Sequence, residues 1–345
     1  MRVVVLGGRG EFGARVVRLL SGSVDVVAPT RADLDVASGD VAERLAPLRP
    51  DVVVNCAGPF QSRDYRVARA ALACDAHYVD LADSRDFVVG IGALDDEARA
   101  KDRLVVSGAS SVPGLSSAVV DSLRADFAHI DSIDIGISPG NRAPRGDATV
   151  ASILAGAGRP HAEWRGGEWR FTRGWTRLRR HAFGAPVGER WLADCDVPDV
   201  ALFPSRYGVR ERVTFGAGLE LRRLHFGLAA IAHLVELGLW RRPERAARTL
   251  RRMSEWFLAA GSDVGAMFVR VAGGGRVSMW QLIARNGDGP NVPAAASVAI
   301  VRALANGTLA ARGALPCLGI VSLPEILDVL KPFAIETYDT TSAPS

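Results

Sequence analysis

Apolar residues in the first third of the chain fall into short continuous runs, and helically spaced segments separate them. Residues 2–6 (RVVVL), 24–28, 51–55 (DVVVN), 77–81 and 104–107 are rich in valine and leucine and too short for buried helices. They predict five strands. Residues 11–20 carry Phe12, Val16, Leu19 and Leu20 at helical spacing, and 41–48, 64–73 and 94–102 predict further helices. Strands that are apolar along their whole length belong to a parallel sheet covered on both faces. Right-handed crossovers then make the sheet doubly wound. Beyond Pro113-Gly114 one more helix is expected over 115–126.

The pattern then changes. Ile133, Ile135 and Ile137 alternate with Ser132, Asp134 and Gly136, which suits a strand with one buried face. Residues 168–173, 188–195, 209–216, 265–271 and 276–285 predict more strands, and 149–157, 221–239 and 243–260 predict helices. Together they imply a second α+β domain with a mixed or antiparallel sheet. NGDGPNVP at 286–293 is a turn cluster, and Pro293 suits the first turn of a helix running to 305. A length of 345 residues fits two domains. The expected division is 1–126 with 291–345 for the first, and 127–290 for the second.

Composition narrows the classes. At 48% hydrophobic and 23% charged, the chain is neither disordered nor collagen-like. Cysteines at 56, 74, 195 and 317 are too far apart for a CxxC or zinc knuckle, and no His or Cys cluster suggests a metal. A reduced, cytoplasmic protein is expected, and the N-terminal apolar run is too short for a secretory leader. Only Lys101 and Lys331 are lysines, so 40 of the 42 basic residues are arginine. Residues 141–252 hold 21 Arg against 11 acidic residues, while the rest of the chain is net acidic. Within 159–190 eight arginines mix with Trp164, Trp169, Phe171 and Trp175. This segment is read first as a solvated polar face with tryptophans in a core or a homodimer interface. An anion-recognising wall is the alternative, and nucleic acid is excluded as a partner. Residues 221–240 are interrupted by Arg222, Arg223 and Glu236, so they predict a buried or amphipathic helix rather than a span. Peripheral membrane contact is the less favoured reading.

The strongest chemical signal is VVVLGGRGEFGARVVRLL. Gly8, Gly10 and Gly13 fit GxGxxG directly after a strand and at the start of a helix, and Gly7, Gly10 and Gly13 fit GxxGxxG. Such glycines make a tight turn, let backbone approach a pyrophosphate and let the helix pack on the strand. The helix start then offers N–H groups to the phosphates. Residues Gly7, Gly8, Arg9, Gly10, Glu11, Phe12 and Gly13 are therefore assigned to a dinucleotide, which makes the first domain Rossmann-type. The second strand ends in Thr30-Arg31, where an NAD site usually places an acid. A guanidinium suits a 2′-phosphate, so NADP(H) is favoured over NAD(H). Asp33 or Asp35 turning back to the ribose is the rival reading.

These residues, with VVNCAGPF at 53–60, HYVDLAD at 77–83, SGASSVPGLSS at 107–117 and the tail motifs at 289–309 and 312–319, resemble the saccharopine dehydrogenase-like NAD(P)-binding proteins. The resemblance covers the first 125 residues well and the last 60 in part. It implies a Rossmann domain holding NADP, a second α/β domain whose sheet faces the nicotinamide, and hydride transfer to or from a small substrate. Saccharopine itself is not implied, because the middle of the chain matches only in outline.

Other motifs follow the strands. Cys56, Ala57, Gly58, Pro59 and Phe60 leave the third strand beside the glycine loop and are assigned to the cofactor's ribose. Cys56 is read as a small filler, not a nucleophile. Asp80 ends the fourth strand and is the candidate catalytic carboxylate, with a structural hydrogen bond as the rival. Ser107, Gly108, Ser110 and Ser111 are assigned to the substrate cleft, facing the second domain, with helix capping as the alternative. A short-chain dehydrogenase needs a Tyr with a Lys four residues on; Tyr65 is followed by Arg69 and Tyr78 by Ala82. A Ser hydrolase would need a GxSxG elbow, which is absent. An NADP-dependent oxidoreductase is the expectation, and a non-catalytic dinucleotide sensor or scaffold is the alternative.

Overall fold

Valine-rich runs form the strands that the pattern predicts, in a computed structural model that describes residues 1–60 and 64–342. The first elements are β1 (Arg2–Leu6), α1 (Gly13–Leu20), β2 (Asp25–Val27), α2 (Val41–Leu45), β3 (Val52–Asn55), α3 (Arg66–Ala73), β4 (His77–Asp80), α4 (Arg85–Val89), α5 (Asp95–Ala100), β5 (Leu104–Ser107) and α6 (Ser116–Leu123). Then come β6 (Ser132–Ser138), α7 (Asp147–Gly156), β7 (Pro160–Arg165), β8 (Glu168–Arg173), β9 (Leu178–Ala182), β10 (Glu189–Asp194), α8 (Pro198–Tyr207) and β11 (Arg212–Ala217). The rest comprises α9 (Arg222–Glu236), α10 (Ala247–Glu255), β12 (Gly265–Gly273), β13 (Arg276–Ala284), α11 (Val292–Ala305), β14 (Gly313–Pro316), α12 (Leu323–Leu330) and β15 (Ile335–Ser342).

The chain divides into two compact units. One is Met1–Ala118 with Pro290–Lys331, and the other is Val119–Gly289 with the segment from Pro332 onward. The sequence reading had placed 291–345 wholly in the first domain. Instead β15 pairs with β13 along its full length, Ile335 opposite Ala284 through Ser342 opposite Val277. The edge of β13 offers a row of backbone N–H and C=O groups, and β15 satisfies them.

In the first unit six parallel strands lie in the order β14-β5-β4-β3-β1-β2. Val3–Val5 and Val52–Val54 have no exposed surface, because helices cover both faces of the sheet. Burial of each such side chain contributes about 1.5–3 kcal/mol. On one face the core gathers Val4, Leu6, Val53, Leu72, Tyr78 and Val105. The chain runs outward from β1 to β2 and then crosses back to β3 on the other side of β1. A crevice therefore opens at the carboxyl ends of β1 and β3, the position where open α/β sheets bind ligands.

The second unit holds a nine-stranded mixed sheet, β15-β13-β12-β6-β11-β10-β9, with β7 on β11 and β8 on β7. Its one parallel pair among the described strands is β6 with β11. Ile133, Ile135, Val213, Phe215, Val269 and Val271 are buried along one face. Their neighbours Asp134, Arg212, Thr214 and Arg270 alternate onto the other. The predicted 243–260 helix is shorter, with tight turns at Pro243–Ala246 and Leu258–Ala260 on either side of α10. Of the predicted aromatic stripe, Trp175 is buried against Leu154 and Leu228, whereas Phe171 on β8 is 84% exposed.

Candidate functional site

The crevice is built by backbone approaching backbone. β1 ends at Leu6, and the chain turns at Gly7, whose φ of +72° disfavours any side chain. A Cβ on Gly7 would lie 3.0 Å from the Ala57 nitrogen, so the glycine loop rests on the segment after β3. A Cβ on Gly13 would strike the Gly7 carbonyl, which fixes how closely α1 sits against the loop. Gly8 is likewise filled in by Ala28, 2.8 Å from an added Cβ. Gly10 differs. It is exposed, and among the described residues only the Gly7 carbonyl, 3.2 Å away, would meet a Cβ there.

α1 begins at Gly13 rather than at 11, because the chain first turns at Gly10, whose N–H donates to the Gly7 carbonyl at 2.9 Å. Among the described residues no side chain caps this helix start. The Ala14 and Arg15 N–H groups already donate to the Gly10 and Phe12 carbonyls at 2.9 and 3.1 Å, so an anion outside the chain would meet the N–H groups of residues 11–13. Arg9 is exposed, and Glu11 pairs with Arg15 at 3.0 Å.

At the tip of β2 the rival acids are occupied. Asp33 Oδ2 accepts from the Thr30 N–H at 2.9 Å and from the Thr30 hydroxyl at 2.7 Å. These bonds, with the charge of Arg9, hold the Asp33 carboxyl below its ordinary range. Arg31 reaches Asp35 at 3.2 Å, yet its side chain is 84% exposed. Such a surface pair is weak and readily exchanged.

After β3, Asn55 is buried and joins two segments. Its Oδ1 accepts from Ala57 N–H at 3.0 Å, and its Nδ2 donates to the Tyr78 hydroxyl at 3.1 Å. The sequence places Asn55 at the head of the segment assigned to the cofactor's ribose; the structure shows it closing an Asx turn onto Ala57 and holding Tyr78. Tyr78 itself lies in the core. Burial, with Asp80 nearby, pushes the Cys56 thiol up, so it stays protonated and is a poor nucleophile. Phe60 is buried against Phe87, ring centres 5.3 Å apart. Behind Ala57 a small cavity is lined by Val36, Asn55, Phe60, Arg66 and Phe87.

Asp80 has no exposed surface. Its Oδ1 accepts from the Ser107 hydroxyl and from the Gly108 and Ala82 N–H groups, each at 2.9 Å. The backbone adds a bond from Ala109 N–H to the Asp80 carbonyl at 2.8 Å. Oδ2 has no hydrogen bond among the described residues. Burial raises the carboxyl to about 6, although the bonds from Gly108, Ala82 and Ser107 oppose the rise. Asp80 thus ties the end of β4 to the loop after β5. That loop runs Ser107-Gly108-Ala109 into Ser110 and Ser111, and no serine side chain caps the helical turn it opens.

The structure therefore brings together Gly7 with Cys56 and Ala57, Cys56 with Asp80, and Asp80 with Ser107 and Gly108. Among the described residues no group of three or more His, Cys, Asp or Glu is placed to hold a metal ion. No described helix is long and apolar enough to cross a membrane.

No family model and no curated protein sequence matches the chain. Solved structures do. Apo saccharopine dehydrogenase (L-Glu forming) from Saccharomyces cerevisiae is 12% identical with a TM-score of 0.61, over 99% of this chain and 100% of that one. An engineered D-amino acid dehydrogenase bound to NADP+ is 16% identical with a TM-score of 0.47, over 95% of each chain. An inositol dehydrogenase homolog complexed with NAD+ from Azotobacter vinelandii is 12% identical with a TM-score of 0.43, over 98% and 97%. The likeness to the yeast enzyme extends over both units, and this chain has the fold of a saccharopine dehydrogenase.

Proposed function

We propose that the chain binds NADP(H) in the crevice of its first unit and acts as a saccharopine dehydrogenase-like oxidoreductase on a small substrate. One observation carries the reading: a glycine loop with an uncapped helix start lies at the β1/β3 switch point, and Gly10 presents bare backbone outward. The shared fold with saccharopine dehydrogenase supports it. A nicotinamide dinucleotide bound there supplies hydride chemistry.

The chain's own residues bind and orient. N–H groups of residues 11–13 hold the pyrophosphate, while the Gly10 N–H stays on the Gly7 carbonyl. Arg31, with Arg9 from the loop, meets the 2′-phosphate, since Asp33 is already held by Thr30. Residues 56–60 border the ribose, and Ser110 and Ser111 hold the polar end of the substrate. Asp80 is a positioning residue: buried on all sides, it fixes Ser107 and Gly108 and reaches no solvent. The proton is then exchanged with water.

The test is fluorescence titration with NADPH and NADH, followed by NADPH oxidation across a panel of carbonyl and imine compounds. Saturable NADPH binding with stimulated oxidation is expected. Tight binding with no turnover on any compound would favour a dinucleotide sensor instead.

A further inference from the structure

The polar face of the second unit's sheet contains a cavity of about 300 Å³, and arginine dominates its walls. Three carboxylates anchor these arginines, and each is shared by two of them. Glu163 takes Arg165 at 3.1 Å and Arg177 at 3.0 Å. Asp194 takes Arg177 at 3.4 Å and also Arg179. Asp134 takes Arg212 through two hydrogen bonds, at 3.0 and 2.8 Å, and Arg270 at 3.2 Å. Thr214 donates to the same carboxylate at 2.7 Å. Burial raises the Asp134 carboxyl, but Arg212, Thr214 and Arg270 outweigh it, so the group is held below its usual range and stays charged.

Five guanidinium groups thus face three carboxylates, an excess of two positive charges in one concave site. Arg180, also on the wall, is matched by Glu189 at 3.3 Å. His181 does not add to the charge: burial and the nearby Arg179 push its imidazole down to about 4. Its ring stacks on Phe268 with centres 3.7 Å apart and planes 9° apart, which gives the cavity an apolar wall. Sheet register produces the arrangement, because Asp134 lies opposite Thr214 on one neighbour strand and Arg270 on the other. The guanidiniums are about a third to nearly half exposed, so water and salt screen them, but in a concave site an excess of like charge still draws in any anion that enters.

We propose that this basin is a binding site for a small dianion, with two negative charges on oxygen atoms and a short carbon skeleton against Phe268 and His181. Two charges match the excess, and guanidinium forks suit both phosphate and carboxylate oxygens. The cavity is far larger than a single water needs and has room for a small organic dianion. Phosphomonoesters and dicarboxylates share this chemistry. The site stands on the second unit alone and does not depend on the dinucleotide reading.

The test is calorimetric titration of the full chain with inorganic phosphate, succinate and acetate at pH 7.5 and fixed ionic strength. Three proteins are compared: wild type, Gly10→Val and Arg270→Gln. Gly10→Val removes the glycine loop as a competing phosphate site. Arg270→Gln removes one positive charge while Arg212 keeps its two bonds to Asp134. Saturable binding of phosphate or succinate is expected in wild type and unchanged in Gly10→Val. It should weaken about 5–30-fold in Arg270→Gln, and acetate should bind at least tenfold more weakly than the better dianion. The stronger of the two dianions identifies the head group. Should Arg270→Gln fail to fold, Asp134→Asn, which releases two guanidiniums, is expected to bind the dianion more tightly. No saturable binding of either dianion in wild type overturns the proposal. So does acetate binding as tightly, or binding lost in Gly10→Val and kept in Arg270→Gln.

Discussion

The two sheets of this chain treat polar groups in opposite ways. In the first unit, strands are buried on both faces and carry almost no charge; Asp80, at the carboxyl end of β4, is sealed by hydrogen bonds that hold a loop in place. In the second unit one face is left polar, and acids and arginines alternate along it in register. The first arrangement leaves free backbone only at the strand ends, where the segments after β1 and β3 meet. The second places charge on the sheet surface itself. A parallel sheet wrapped by helices binds at its edge, whereas a sheet with an open face can bind in its middle.

The contrast can be broken most severely at Gly13. Gly13→Val drives a branched side chain into the Gly7 carbonyl, so the first unit should lose about 3 kcal/mol or more, read as a fall in Tm. A Tm unchanged within 1 °C would mean that the loop does not press on α1.

Asp80 is next. Its folded carboxyl titrates near 6, above the usual value near 3.9 for an unfolded chain. Between those values the folded state binds the extra proton, so stability rises as pH falls from 6 to 4 and is lower at pH 7. The effect is on the order of 2–3 kcal/mol. Asp80→Asn removes the charge and keeps an acceptor for Ser107 and Gly108. It should raise Tm at pH 7 and flatten this part of the pH profile; a lower Tm with the profile intact would contradict the burial argument.

A smaller effect is expected at Arg31. Because its side chain is largely exposed, Arg31→Ala should weaken NADPH about tenfold and leave NADH nearly unchanged. Equal losses in paired titrations would make Arg31 a support for the loop and no reader of phosphate. The smallest effect belongs to Phe171 on the open side of β8. Phe171→Ser should shift unfolding free energy by less than about 0.5 kcal/mol, and a larger loss in denaturant titration would show that this ring is covered in solution.

Much of the first unit was legible in the sequence, for a physical reason: strands buried on both faces have to be apolar throughout, and sterics require the glycines at 7, 8 and 13. The second unit hid more. β7 and β9 carry Arg165, Arg179 and Arg180, and a strand facing charge into a cavity lacks the apolar run that marks one. α12 was overlooked although Ser322 and Glu325 form a capping box, with the Ser322 N–H donating to Glu325 at 2.7 Å. β15 was assigned to the wrong unit because IETYDTTS is a polar alternating strand whose partner, β13, lies more than fifty residues away. At the candidate site, the glycine turn of residues 7–13 is legible from its spacing, as a turn. Asn55 and the clasp of Asp80 on Ser107 and Gly108 depend on contacts between separate strands, which spacing does not encode.

The central claim is that bare backbone at Gly10 receives a dinucleotide pyrophosphate. NADPH fluorescence titration of wild type and Gly10→Val, with circular dichroism on both, tests it most directly. Among the described residues a Cβ at Gly10 meets only the Gly7 carbonyl, so the fold should persist. NADPH affinity should fall at least about 100-fold, because the valine occupies the space the phosphates need. A folded Gly10→Val protein that binds NADPH as well as wild type would contradict the account.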